Sequence, residues 1–118
     1  MEFIRARLDA AGVTSSRDLA SVRDGDRIVV AGLVVARQHP ETAKGTVFVL
    51  LEDEFGFINI IISPRMFDQN REVVRFSQFL AIEGRFEREG RVMNVIGWRF
   101  RPLHFRSKAL QYASRDFH

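Results

Sequence analysis

The chain has 118 residues, 46% of them hydrophobic and 28% charged, which suits one globular domain with a real core and argues against a disordered chain. The formal net charge of +3 permits a polyanionic partner without requiring one. The sequence has no cysteine, which excludes disulfides and thiolate metal sites, and its three histidines are scattered, so we expect no metal or other cofactor.

No apolar run approaches the length of a membrane span, and the first residues lack the apolar stretch of a secretory signal. We therefore expect a cytoplasmic protein with no membrane partner.

Residues 1–26 are predicted to form a helical lead-in. Apolar residues recur at helical spacing from Phe3 to Ala11, and Gly12 follows as a stop signal. Ser15 or Ser16 can cap a second helical turn, because a side-chain oxygen there satisfies a free backbone N–H. An Asp-Gly-Asp run at 24–26 then ends the helical pattern.

From residue 27 the apolar period becomes that of strands. Gly32 lies inside the first of them and indicates a bend or bulge. A helix is predicted over Pro64–Arg75, and residues 87–90 have the composition of a hairpin loop. The predicted strands are Ile28–Arg37, Thr46–Asp53, Phe57–Ser63, Gln78–Phe86 and Arg91–Phe100.

Three strands, a helix and two strands, in that order, are typical of an all-β OB-fold. This is a five-stranded Greek-key barrel whose bent first strand serves both sheets and whose helix closes one end between strands 3 and 4. We assign residues 27–102 to this barrel and residues 103–118 to a tail on its surface. A different β-barrel with a capping helix is the alternative.

Side-chain alternation sorts the second and third strands into two faces. One face is wholly aliphatic and should line the barrel, because a buried unpaired amide costs roughly 1 to 3 kcal/mol. Asn59 must then lie on the outer face. The inner residues are Val47, Val49, Leu51, Ile58, Ile60 and Ile62. The predicted cross-strand pairs are Phe48 with Ile61, Leu50 with Asn59, and Glu52 with Phe57.

The outer face predicts a site for single-stranded nucleic acid, which binds OB-folds on strands 2 and 3. Phe48 and Phe57 are candidate stacking platforms, and Asn59 is the candidate reader of base edges. The residues expected to contact phosphates around the rim are Arg37, Lys44, Arg85, Arg88 and Arg91.

Structural interpretations of the same residues stay open. The amino-terminal helix or the tail can cover Phe48 and Phe57, and Asn59 can simply interrupt an aggregation-prone run of isoleucines. The arginines near Glu83, Glu87 and Glu89 can form a solvated, self-paired surface. No nucleophile and base can be paired, so we expect neither catalysis nor a small-molecule substrate.

Several motifs carry a resemblance to a known family. The sequence has A-G-L-V from Ala31, T-A-K-G from Thr42, L-E-D-E-F-G from Leu51, P-R-M-F from Pro64 and G-R-F-E-R-E-G from Gly84. Together with the closing S-R-D-F-H, they resemble the carboxy-terminal OB-fold domain of bacterial error-prone DNA polymerase III alpha subunits. More distantly, Phe48, Asp53 and Asn59 are similar to the anticodon-binding OB domains of class II aminoacyl-tRNA synthetases, where a Phe stacks a base and an amide reads one.

The resemblance implies a role in translesion synthesis, a form of DNA repair, without catalysis by this chain, because the polymerase's catalytic carboxylates, fingers and palm are absent. Our first hypothesis is a module that binds single-stranded DNA. The second is an OB domain that docks a mutagenesis accessory protein or the sliding clamp.

Overall fold

A computed structural model describes residues 12–41 and 44–103 of the chain. The helix predicted before Gly12 and the tail beyond Leu103 lie outside the described residues. The elements in chain order are a 3₁₀ helix (Ser16–Ser21), β1 (Arg27–Gln38), β2 (Val47–Glu52), β3 (Phe57–Ile62), α1 (Pro64–Gln69), α2 (Arg71–Phe76), β4 (Phe79–Glu89) and β5 (Val92–Pro102).

The five strands form a closed barrel in the order β1-β2-β3-β5-β4. All neighbours are antiparallel except β3 and β5, which run parallel. Two short helices lie between β3 and β4. The predicted OB-fold is therefore confirmed. Within the described ranges, no helix combines the length and the apolar character needed to cross a membrane.

β1 is long enough to serve both sides of the barrel. Its first half pairs with β4 over Arg27–Leu33, and its second half pairs with β2 over Leu33–Gln38. The bulge falls at Val35, where the register with β2 shifts. Gly32 has a different role, because a Cβ there would lie 2.6 Å from the carbonyl oxygen of Glu52. It permits the close approach of two backbones at the point where β1 changes partner.

The helix predicted over Pro64–Arg75 is present between β3 and β4 and is divided into two short helices, α1 and α2. Asn70 separates them, with φ −127° and ψ 23°, and its side-chain amide donates to the carbonyl of Met66 at 2.8 Å. The backbone carbonyl of Asn70 accepts a hydrogen bond from the N–H of Val74, and this bond belongs to the first turn of α2. Asn is suited to this position because its short side chain competes for backbone hydrogen bonds.

The hairpin between β4 and β5 is tighter than predicted. The expected loop at 87–90 is mostly strand, because Glu87 pairs with Asn94 and Glu89 with Val92. Residues 90–91 alone form the turn, and Gly90 has a φ of 62°, which glycine adopts without steric penalty. Composition suggested a loop, but cross-strand pairing extends both strands almost to the turn.

The barrel interior is aliphatic, as predicted from alternation. Each of the six inner residues of β2 and β3 is at most 2% exposed. Phe86 on β4 and Val95 on β5 are completely buried, while Phe67 and Val74 contribute side chains to the core from the two helices. Burial of each large side chain contributes roughly 1.5 to 3 kcal/mol, which fixes which faces of β2 and β3 point outward.

Candidate nucleic-acid interface

The outer surface of β2 and β3 has the predicted register. Phe48 is opposite Ile61, and Leu50 is opposite Asn59. Asn59 is exposed, and the Phe48 and Phe57 residues are 36% and 59% exposed. Two aromatic rings and an amide therefore share one solvent-facing surface, which we call the outer face: Phe48, Leu50, Phe57, Asn59 and Ile61, extended on β5 by Asn94 and Ile96.

The extension onto β5 was missed by sequence analysis. The parallel register places Asn94 beside Asn59, and Ile96 beside Ile61. Asn94 is half-buried, so two amides lie side by side in the middle of the outer face. Strands β3 and β5 are separated by two helices and β4, so no local signal in the sequence reports this register.

The Phe57 end of the outer face carries further exposed apolar surface. Val92 starts β5 and is 54% exposed, and Phe55 in the β2–β3 turn is 43% exposed. The guanidinium of Arg17 lies 4.2 Å from the centroid of the Phe55 ring, which places a cation at this edge.

A buried carboxylate fixes the turn that leads into Phe57. Asp53 is 3% exposed and accepts from the backbone N–H of Ser16 at 2.7 Å and from its hydroxyl at 2.5 Å. It also accepts from the N–H groups of Phe55 and Gly56 at 2.9 and 3.1 Å. The Asp53 side chain thus ties the β2–β3 turn to the 3₁₀ helix.

The five residues predicted to contact phosphates differ in their partners. Arg37 and Arg88 bind backbone carbonyls, and Arg85 pairs with a carboxylate. Lys44 and Arg91 are exposed in the loops at opposite ends of the outer face, and neither forms an ion pair with another described residue. Arg85 lies on the outward side of β4 opposite Ile96, where its guanidinium pairs with Glu87 at 2.6 Å.

The other two predicted contacts are held by backbone carbonyls. The guanidinium of Arg37 donates to the carbonyls of Val74 and Ser77 at 2.7 and 2.6 Å, at the end of α2. Partial burial lowers the pKa of Arg37 from its usual value. Arg88 donates to the carbonyl of Ala20 at 2.8 Å and so braces the 3₁₀ helix. Both arginines have structural partners, and phosphate contact by either stays a prediction.

The charge around the outer face is mixed. Glu52 lies opposite Phe57, Glu87 is opposite Asn94 and Glu89 is opposite Val92. These carboxylates partly offset the nearby cations, so the outer face offers stacking and hydrogen-bonding groups more than a strong positive field.

Two relatives of the chain illustrate its similarity to error-prone DNA polymerases. It is 42% identical over 118 residues to the error-prone DNA polymerase of Pseudomonas fluorescens (strain Pf0-1), covering 100% of this chain and 12% of that protein. It is 46% identical over 101 residues to that of Caulobacter vibrioides, covering 86% of this chain and 9% of the relative. The chain thus spans about a tenth of the length of these relatives. No protein-family model matches it.

Solved structures show the fold. The asparaginyl-tRNA synthetase from Pyrococcus horikoshii has a TM-score of 0.65 at 13% identity, covering 81% of this chain and 24% of that one. The S. pombe Stn1-ten1 complex has a TM-score of 0.56 at 16% identity, covering 78% of each chain. With ~40% identity along its full length, the chain is an OB-fold homologue of one segment of the error-prone DNA polymerases.

Proposed function

We propose that the chain is a non-catalytic module that holds single-stranded DNA on its outer face within a larger error-prone polymerase engaged in translesion synthesis. The observation that carries this proposal is the pair of exposed rings, Phe48 and Phe57, on the same surface as the amides of Asn59 and Asn94. The cytoplasmic location expected from the sequence belongs to the same proposal.

The chemistry of the outer face suits an unpaired strand. A base stacked on an aromatic ring contributes about 1 to 3 kcal/mol, and every base offers a π surface, so stacking tolerates any sequence. Side-chain amides both donate and accept, so Asn59 and Asn94 together can bind the edge of a base placed between the rings. Lys44 and Arg91, at the two ends, form no ion pair with another described residue and can contact phosphates.

The expected affinity is modest. Two stacked bases and a few phosphate contacts correspond to a Kd of about 1 to 100 μM, since each 1.4 kcal/mol changes the affinity tenfold. Counterion release makes this affinity fall with salt, at about 0.7 in logarithmic slope for each phosphate contacted in a single strand.

Fluorescence anisotropy with a labelled oligo-dT tests the outer face. Phe48→Leu removes the ring but keeps an apolar side chain, so it should weaken binding about tenfold with little effect on folding. Trp98→Leu is the matched control, because Trp98 is 39% exposed but lies on β5 beyond the part that pairs with β3. Equal binding by wild type and Phe48→Leu, or an equal loss of affinity in the control, would refute DNA binding on the outer face.

A second candidate function rests on the exposed apolar groups. Phe57 and Val92 are each more than half exposed and are flanked by Glu52 and Glu89, a surface that also suits a protein partner. The partner would be a mutagenesis accessory protein or the sliding clamp. This function is favoured if oligo-dT fails to bind at low salt while Val92→Lys abolishes co-purification of the partner.

A further inference from the structure

A basic cleft lies at the end of the barrel, next to the outer face but separate from it. It is a cavity of about 340 Å³ lined by Arg37, His39, Phe67, Arg71 and Arg75. By volume it has room for about ten water molecules. We call it the helix cleft, because α1 and α2 form one wall and the end of β1 forms the other.

A buried aromatic ring, that of Phe67, lines the helix cleft. Phe67 is 6% exposed, and its ring forms a T-shaped pair with the ring of His39, with centroids 4.8 Å apart and an interplanar angle of 78°. The guanidinium of Arg71 lies 5.3 Å from the centroid of the same ring. A buried ring therefore positions one imidazole and one guanidinium toward a shared space.

The lining has an excess of positive charge. Three guanidinium groups line the cavity, and none of the described residues that line it carries a carboxylate. Arg71 pairs with Asp68 at 2.8 Å, but both side chains are more than half exposed, so this pair is weak and easily exchanged. Arg75 forms no ion pair with any described residue. Arg37 is already oriented by the carbonyls of Val74 and Ser77, which accept from its Nε and Nη2. The remaining N–H groups of the guanidinium can donate to another acceptor.

An anion with several oxygens fits this arrangement best. Guanidinium groups bind phosphate with bidentate geometry, and clustered arginines at a partly enclosed site gain more from an anion than they do in water. The position of the helix cleft indicates the source of the phosphate. Gln38 pairs with Phe48, and the residues on either side of Gln38, Arg37 and His39, line the cleft.

We propose that the helix cleft binds backbone phosphates of a DNA strand that leaves the outer face past Phe48, a proposal that rests on the proposed function. It extends the binding path around the end of β1 to α2. A strand confined to the outer face would not reach the cleft, and a longer strand would.

The test compares two charge-matched double variants of the full chain. Arg71→Gln/Arg75→Gln removes two cations from the helix cleft, and Arg99→Gln/Arg101→Gln removes two exposed cations from the far part of β5. Glutamine keeps helix propensity, and circular dichroism checks that each variant folds. Binding is measured with oligo-dT of about 5 and about 16 nucleotides over a range of salt concentrations.

For the longer oligonucleotide, the cleft variant should lower the logarithmic salt slope by about 1.4 and weaken binding about tenfold near 50 mM salt. Its affinity for the short one should change less than about twofold, as should the control's affinity for both. Two results would refute phosphate binding in the helix cleft without refuting DNA binding on the outer face. One is an equal effect of the two variants, and the other is no effect of the cleft variant while Phe48→Leu still weakens binding. No binding of either oligonucleotide by wild type at low salt would refute both.

Discussion

Replacement of Asp53 by alanine should destabilise the fold strongly although no apolar core is lost. The carboxylate is 3% exposed and accepts hydrogen bonds from the N–H and hydroxyl of Ser16 and from two N–H groups of the turn that precedes Phe57. Hydrogen bonds to a charged group contribute roughly 1.5 to 3 kcal/mol each, but bonds that share one acceptor are not additive. We expect Asp53→Ala to lower the free energy of unfolding by about 3 kcal/mol, or the Tm by about 12 °C.

Urea denaturation followed by circular dichroism measures this loss. Ser16→Ala removes the hydroxyl donor but keeps the backbone donor, so it should cost about 1 kcal/mol. The double variant should cost less than the sum of the two, because both changes remove the same bond. A loss below about 1 kcal/mol for Asp53→Ala, or strict additivity in the double variant, would refute the structural role assigned to this carboxylate.

Three further predictions concern the rest of the barrel. Gly84→Ala should destabilise by about 3 kcal/mol in urea denaturation, because the new Cβ would lie 2.2 Å from the carbonyl oxygen of Ile96; an unchanged midpoint would contradict this. The pKa of Glu83 is lowered mainly by the hydrogen bond that its carboxylate accepts from the Trp98 indole. The stabilisation that the ionised Glu83 side chain provides is therefore present above the usual carboxylate pKa and is lost as pH falls through the lowered pKa. The fluorescence of Trp98, which is the single tryptophan, should report that titration and should not do so in Glu83→Gln. Arg37→Leu should raise amide hydrogen exchange at the end of α2, where its guanidinium binds two carbonyls, and unchanged protection there would contradict that capping role.

Much of the outer face could be predicted because it depends on a local hairpin. The turn between β2 and β3 is short, so the alternation of side chains fixed both the register and the exposure of Asn59. The neighbouring Asn94 could not be found in this way, since it reaches Asn59 through a parallel pairing between strands that are distant in the sequence. The break at Asn70 and the extension of β4 to Glu89 depend on hydrogen bonds that composition does not report.

The predicted phosphate contacts were also only partly predictable from the sequence. Their number and their positions near the loops were visible in the sequence, but their partners were not. Arg37 and Arg88 find carbonyls at the ends of helices, Arg85 finds Glu87, and only Lys44 and Arg91, among the five predicted contacts, lack a partner among the described residues. A long side chain can reach several acceptors, and its choice depends on which backbone carbonyls the fold leaves unpaired nearby.

The amino-acid sequence by itself determined the barrel, the aliphatic interior and the pair of rings turned outward, because period-two alternation and the apolar content of each strand are local properties. The tertiary structure decided what lies beside them: the second amide on β5, the Asp53 tie to the 3₁₀ helix and the arginines of the helix cleft. These arise where closure of the barrel brings together segments far apart in the chain. Contacts of that kind depend on the path of the whole backbone, which no single stretch of sequence specifies.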